Sequence, residues 1–213
     1  MERRMNKAGF SLIEMLLVIG ILAALMGIAV VGFGGMSRRA QRTNTVELVS
    51  NAATALTMIF NESKAWSKPL IDGMSSHKLD RNTCAAFVRH GSGLLGLSYT
   101  KVMTEDGHER REVDPQSVDR FGLIDAYAQA VVRKRADATL GTTVPTGGTI
   151  NDHILHYAID DDGDGIVEVP LESGNVKVRA TACVWSSGAD GKFNKSRSKG
   201  DDVFSWRLEQ EVR

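Results

Sequence analysis

From Met15 to Met36 the chain runs for 22 residues without a charged side chain, and one carboxylate, Glu14, stands directly before the run. Leu, Ile, Val, Ala, Met and Gly fill every position except Phe33. As an α-helix rising about 1.5 Å per residue, the run would extend about 33 Å. That matches a hydrocarbon core about 30 Å thick. Basic residues precede it (Arg3, Arg4, Lys7) and follow it (Arg38, Arg39, Arg42), so flanking charge alone does not orient it. Short positive leaders stay in the cytoplasm, which would leave the remaining chain extracytoplasmic. An ordinary secretory signal is the alternative, but it has an apolar core of about 7–15 residues and a small-residue cleavage site. This run is longer, and no clear A-x-A site precedes Ser37. Glu14 is the difficulty. A carboxylate at mid-membrane costs about 2.5–3.5 kcal/mol on insertion scales, less near an interface, and such residues usually have a partner.

The residues just before Glu14 offer one. Gly9-Phe10-Ser11-Leu12-Ile13-Glu14, behind a short basic leader and ahead of about twenty apolar residues, resembles the class III signal of type IV pilins and type II secretion pseudopilins. The resemblance implies that a membrane prepilin peptidase cuts after Gly9 and methylates the new amine of Phe10. The apolar helix is then first an inner-membrane anchor and afterwards the core of a helical filament. Cleavage would create an ammonium at Phe10, four residues from Glu14. Pairing of Glu14 with the Phe10 amine of a neighbouring subunit is the expected assembly contact, and a Glu14 that snorkels to the headgroups is the alternative. The partners implied are other pilin or pseudopilin subunits, the peptidase and an inner-membrane assembly platform with its cytoplasmic ATPase.

Beyond the apolar run the period changes. Val46, Val49, Ala53, Leu56 and Phe60 recur at helical spacing, and no Gly or Pro interrupts residues 37–65. One continuous helix is expected from about Phe10 to about Lys64, ended by Ser67-Lys68-Pro69, its second half burying this stripe on a small sheet. The chain divides on this reading into a leader (1–9), an apolar transmembrane or filament-core helix (10–36), its amphipathic continuation (37–65) and a globular head (66–213). The fold class expected is α+β and pilin-like: a long N-terminal helix packed on a small antiparallel sheet. Cys84 to His90 reads as a short helix, Thr104 to Asp114 as a charged, solvated loop, and Asp125 to Arg135 as helix or strand. Ile154–Ile159 and Ile166–Val169, joined by Asp160-Asp161-Asp162-Gly163-Asp164-Gly165, read as a β-hairpin. Val176 to Trp185 reads as a third strand, and Trp206 with Leu208 as part of a last one.

Two acidic loops bear on cation binding. Asp160, Asp162 and Asp164 followed by Gly165 match the first half of an EF-hand loop, with oxygens at positions 1, 3 and 5 and a Gly for the turn. Position 12 is Leu171, not Glu. A calcium loop and a plain polar hairpin tip both fit. Trp185-Ser186-Ser187-Gly188-Ala189-Asp190-Gly191, then Asp201-Asp202-Val203-Phe204-Ser205-Trp206, resembles the C-terminal loop of the major type II secretion pseudopilin. That resemblance implies Ca²⁺ held by Asp190 and Asp202, with Asp201 as a further ligand. The insert between them carries Lys192, Lys195, Arg197 and Lys199, which would weaken cation binding, and a structural loop pinned by Trp206 is the alternative.

Cys84 and Cys183 are the only cysteines. An oxidising compartment permits a disulfide between them, and Cys183 also fits as a small buried hydrophobe. The five histidines are scattered, and neither a Gly-x-Ser-x-Gly elbow nor a phosphate-binding loop occurs, so no enzyme is expected. A net charge of zero gives no electrostatic case for nucleic acid. The expected function is structural: a subunit of a type II secretion pseudopilus or related type IV pilus-like filament. A type IV or minor pilin, or a membrane-anchored ligand-binding module that uses the signal for delivery, are the alternatives.

Overall fold

Helix α1 spans Leu12–Ser63, with Glu14 in its first turn. In this computed structural model, residues 12–88, 99–103, 109–113, 121–171, 174–193, 200–207 and 210–212 are described, with backbone alone at 28–35, 88, 99–103, 109–113 and 171. Two compact units result, one ending at Ala40 and the other running from Gln41 to Arg213. In the second unit α1 buries Val49, Ala52, Ala55, Leu56 and Ile59. That face is rotated from the expected stripe, because Val46 remains 48% exposed and Ala52 and Ile59 point inward instead. Ala52 and Ala55 leave room for the neighbouring chain to approach the helix, so packing rather than side-chain size selects the face. The helix ends at Ser63, within a residue of the expected Lys64 and ahead of Ser67-Lys68-Pro69. Ser63 turns its hydroxyl back to the Ile59 carbonyl (2.7 Å), and Lys64 adopts a left-handed φ of 52°. Pro69 instead occupies the first turn of α2, Lys68–Gly73, where its missing N–H is no loss.

The head continues through α3 (Arg81–Cys84), a 3-10 turn (Ala85–Val88), β1 (Tyr99–Met103), β2 (Glu109–Val113), α4 (Ala126–Val132), a second 3-10 turn (Ile150–His153), β3 (His156–Ile159), β4 (Ile166–Leu171), β5 (Gly174–Arg179), β6 (Ala182–Ser186), β7 (Val203–Phe204) and β8 (Glu211–Val212). The described strands form three antiparallel sheets, β1-β2, β3-β6-β7 and β4-β5-β8. The fold is α+β, an N-terminal helix followed by small antiparallel sheets.

Three sequence expectations are corrected. Within the charged stretch 104–114, residues 109–113 form a strand, with Glu109 opposite Met103 and Val113 opposite Tyr99. Ladder bonds use backbone groups, so charged side chains do not prevent them. The acidic stretch at 160–165 is not a hairpin tip: β3 pairs with β6, while β4 pairs with β5. Both flanking strands are partly apolar, but β3 enters the buried β3-β6-β7 sheet. β4 and β5 instead alternate, with Val167, Val169 and Val178 inside and Glu168 facing Lys177 (2.9 Å) outside. Finally, the single strand expected over 176–185 is two strands in different sheets, β5 and β6, broken at Ala180-Thr181. The ambiguous segment 125–135 is helical, as α4.

Leu70, Leu79, Phe87, Tyr157, Ile159, Val184 and Val203 cover the buried face of α1. A second cluster joins α4 to Ile150 and Ile154, and a third gathers Trp185, Trp206 and the valines of β4 and β5. Burial of such side chains contributes about 1.5–3 kcal/mol each.

Candidate functional site

Gly9 and Phe10 lie outside the described residues. Glu14 is exposed, as are the apolar side chains that surround it: Leu12 is 82% exposed and Ile13 73%. Exposure of Leu16, Leu17, Ile19, Leu22, Leu25 and Met26 continues this surface along α1. A contiguous apolar surface of this extent marks a lipid or protein interface rather than a solvated face. Among the described residues no helix is long and apolar enough to cross a membrane. The described apolar side chains break off after Gly27, since 28–35 are described as backbone only, so the full 22-residue span is a property of the sequence.

The loop between β3 and β4 gathers its aspartates. One carboxylate oxygen each from Asp160, Asp162 and Asp164 lies within 4.8 Å of the others. The same groups organise the backbone. Asp160 accepts from the N–H groups of Gly163 (2.7 Å) and Gly165 (2.9 Å), Asp162 from Asp164, and Asp164 from Ile166. Gly163 and Gly165 supply the positive φ values the turn requires. Three hard oxygen donors on one side suit Ca²⁺, which takes six to eight. Beyond them, the twelfth position falls on Leu171, paired with Gly174 in the β4-β5 ladder.

The C-terminal loop is built differently. Asp190, Asp201 and Asp202 do not form a comparable group among the described residues. Asp201 Oδ2 accepts the N–H groups of Ala189 and Asp190, and Asp190 Oδ1 accepts that of Lys192 (2.9 Å). Asp202 is buried. Gly188, at φ 69°, is the residue that permits this, because a Cβ there would sit 2.7 Å from Asp201. The carboxylate of Asp201 thus does for the turn what a cation would do for carbonyl groups: it fixes the loop, but through donors. Trp206 is buried against Trp185, their rings T-shaped at 6.1 Å.

A fourth arrangement was not visible in the sequence. Asp125 is the N-cap of α4, and its Oδ1 accepts from Tyr127 (3.0 Å) and Ala128 (3.1 Å). Its Oδ2 receives His153 Nδ1 (2.9 Å) and the Ser186 hydroxyl (3.0 Å). His153 Nε2 meets the Gly147 carbonyl (2.8 Å). The side chains of Asp125 and His153 are fully buried. Asp, His and Ser together invite comparison with a nucleophilic triad, but the wiring differs: Ser186 points at the carboxylate, and the imidazole nitrogen that would act as base is occupied by a backbone oxygen. The group braces α4, the second 3-10 turn and the end of β6. Asp125 immediately before an apolar helical run was a legible capping signal; nothing local marked His153 or Ser186.

Three residues on, His156 is in the opposite situation. Burial, aided by Lys78 and His77, pushes the His156 ring down to about 4. Its ring stacks on Trp185 at 5.6 Å. The two thiols are both buried, and no disulfide joins them. Cys84 belongs to the α1 cluster and Cys183 to the Trp185 cluster. Burial pushes Cys84 up to about 12, so it remains an unreactive thiol donating to the Leu79 carbonyl (3.4 Å).

Residues 4–30 match the family model of the prokaryotic N-terminal methylation motif. The chain therefore carries a type IV pilin-like prepilin signal, and the match takes in Gly9, Phe10, Glu14 and much of the apolar run. No curated protein and no solved structure matches the chain.

Proposed function

We propose that this protein is a structural subunit of a type II secretion pseudopilus or a closely related type IV pilus-like filament. It is inserted in the inner membrane by its N-terminal helix, with the head on the extracytoplasmic side. It is cut after Gly9, methylated at Phe10 and polymerised through α1. The observation that carries the reading is the methylation motif at 4–30 ending in an exposed apolar helix with Glu14 in its first turn. The C-terminal stretch from Asp190 to Trp206 favours the secretion type over a motility, adhesion or DNA-uptake pilin. Sequencing the mature N-terminus tests the processing step: the protein should begin at methylated Phe10. An unprocessed chain, or one cut after the apolar run, overturns the reading. Recovery from sheared filaments rather than as dispersed membrane monomers separates the structural role from a delivered binding module.

A second reading concerns calcium. The gathering of Asp160, Asp162 and Asp164 favours this loop over the Asp190–Asp202 loop as the cation site. Calcium should raise the thermal midpoint relative to chelator, and Asp162→Ala should abolish the difference while Asp190→Ala preserves it. Equal midpoints with calcium and chelator would sink it.

A further inference from the structure

Both ring nitrogens of His153 face oxygens: a backbone carbonyl, and a carboxylate that can only accept while it is ionised. Nδ1 lies 2.9 Å from a carboxylate oxygen of Asp125, and Nε2 lies 2.8 Å from the Gly147 carbonyl. A neutral imidazole has one N–H and one lone pair. Either tautomer would therefore set a lone pair against an oxygen at hydrogen-bond distance, in a site without solvent access. Turning the ring over would set carbons against both oxygens. With the Asp125 carboxylate ionised, only the doubly protonated ring satisfies both contacts, and that carboxylate supplies its counter-charge.

We propose that His153 is a buried imidazolium in the folded head, and that loss of its proton is a conformational switch that releases the Thr143–Thr149 turn. The carboxylate is the better-anchored acceptor, since it also receives Tyr127, Ala128 and Ser186. The neutral ring keeps Nδ1–H toward Asp125 and turns a lone pair on Gly147. Gly147 is the weaker side. It sits in a turn closed by Val144 N–H to Gly148 O and Gly147 N–H to Val144 O, both 3.0 Å. That turn packs on the C-terminal loop, because a Cβ on Gly147 would lie 2.7 Å from the Asp190 carbonyl. The switch thus reaches from a buried proton to the surface loop carrying Asp190.

The two charged groups that act directly on His153 act in one direction. Asp125 comes from the start of α4 and Asp152 from the 3-10 turn, and both favour the charged ring. Tyr127, from α4, has its ring 6.3 Å away. Asp201 and Arg42 act on Tyr127, and Lys78 acts on Asp152. From β6 the facing group is the neutral Ser186 hydroxyl. Burial works against the charge, but the Asp125 contact and the Gly147 bond offset it, so His153 stands above the usual histidine range. A proton held more tightly folded than unfolded stabilises fully below the ordinary histidine value of about 6.5. That stabilisation is lost as pH rises through the raised folded value.

The test is a long-range proton–nitrogen correlation spectrum of the full chain in detergent micelles, labelled at histidine nitrogens and titrated with pH. Both His153 nitrogens should read as protonated at pH 6, with a midpoint above the ordinary value of about 6.5. Through that titration, amide exchange at Val144 and Gly147, corrected for its intrinsic pH dependence, should rise about tenfold or more. The rise should be missing in His153→Gln. A midpoint at or below about 6.5, or a single neutral tautomer at pH 6, overturns the charge assignment. Unchanged protection of Val144 and Gly147 through the titration overturns the switch. The wild-type measurement decides both even if His153→Gln fails to fold.

Discussion

His153 and His156 sit three residues apart and are driven in opposite directions. The difference is one carboxylate. His153 meets Asp125 in a fully buried pair, whereas His156 lies buried among aromatic rings, with Lys78 acting against its charge and Asp152 offsetting only part of that. The sign of the pH dependence follows. His156, lowered to about 4, favours the fold while neutral. Its contribution is complete above about 6.5 and is lost as pH falls toward 4. Stability should therefore decline on the acid side because of His156 and on the alkaline side because of His153. In His156→Phe the acid decline of the thermal midpoint between pH 6.5 and 4 should be shallower, and an unchanged slope would show that other groups carry it. At this scale the sequence was least informative. A histidine's charge depends on neighbours 28 residues away for His153 and 78 for the His156 contact with Lys78, and no spacing rule reports them.

Short helices here are fixed by their first residues. Asp80 caps α3 through the N–H groups of Asn82 and Thr83, both at 2.9 Å, and Asp125 caps α4 in the same manner. Locally the two caps are equivalent, each worth about 1 kcal/mol. In three dimensions they are not. Asp125 also balances His153, and removing one partner of a buried charge pair costs about 3–5 kcal/mol. Asp80→Ala should thus destabilise by about 1 kcal/mol, and Asp125→Ala by several times more, in denaturant unfolding of the full chain. Equal losses would mean that the pair with His153 contributes nothing beyond the cap. The α4 start is tied further to α1, because the Ala126 N–H reaches the Thr45 hydroxyl (3.3 Å) while that hydroxyl donates to Gln41 (2.9 Å). Each cap is local, an aspartate directly before its helix. The β pairing is not. β3 and β4 adjoin along the chain yet enter different sheets, because partner choice depends on β5 and β6, which arrive later.

For the whole molecule, the division at Ala40 separates a helical segment with exposed apolar side chains from a head with its own buried core. A head so built has its own internal packing. On the proposed function this predicts the behaviour of Glu14→Ala. The substitution leaves the head core untouched and removes a charge from the apolar surface, so membrane recovery and cleavage should be unchanged. Incorporation into filaments should fall severalfold, because the new Phe10 ammonium then lacks its counter-charge. Normal incorporation would exclude the pairing.

The N-terminal signal, the long helix and the α+β class were legible along the chain. Each rests on local information: a contiguous motif, an uncharged run longer than any soluble strand, and a helical period. Tertiary structure alone decided which face of α1 is buried, that the acidic loop at 160–165 crosses between sheets, and that Asp125, His153 and Ser186 meet. Those are contacts between residues distant in the chain, selected by shape and by satisfaction of buried polar groups, and no local pattern encodes them.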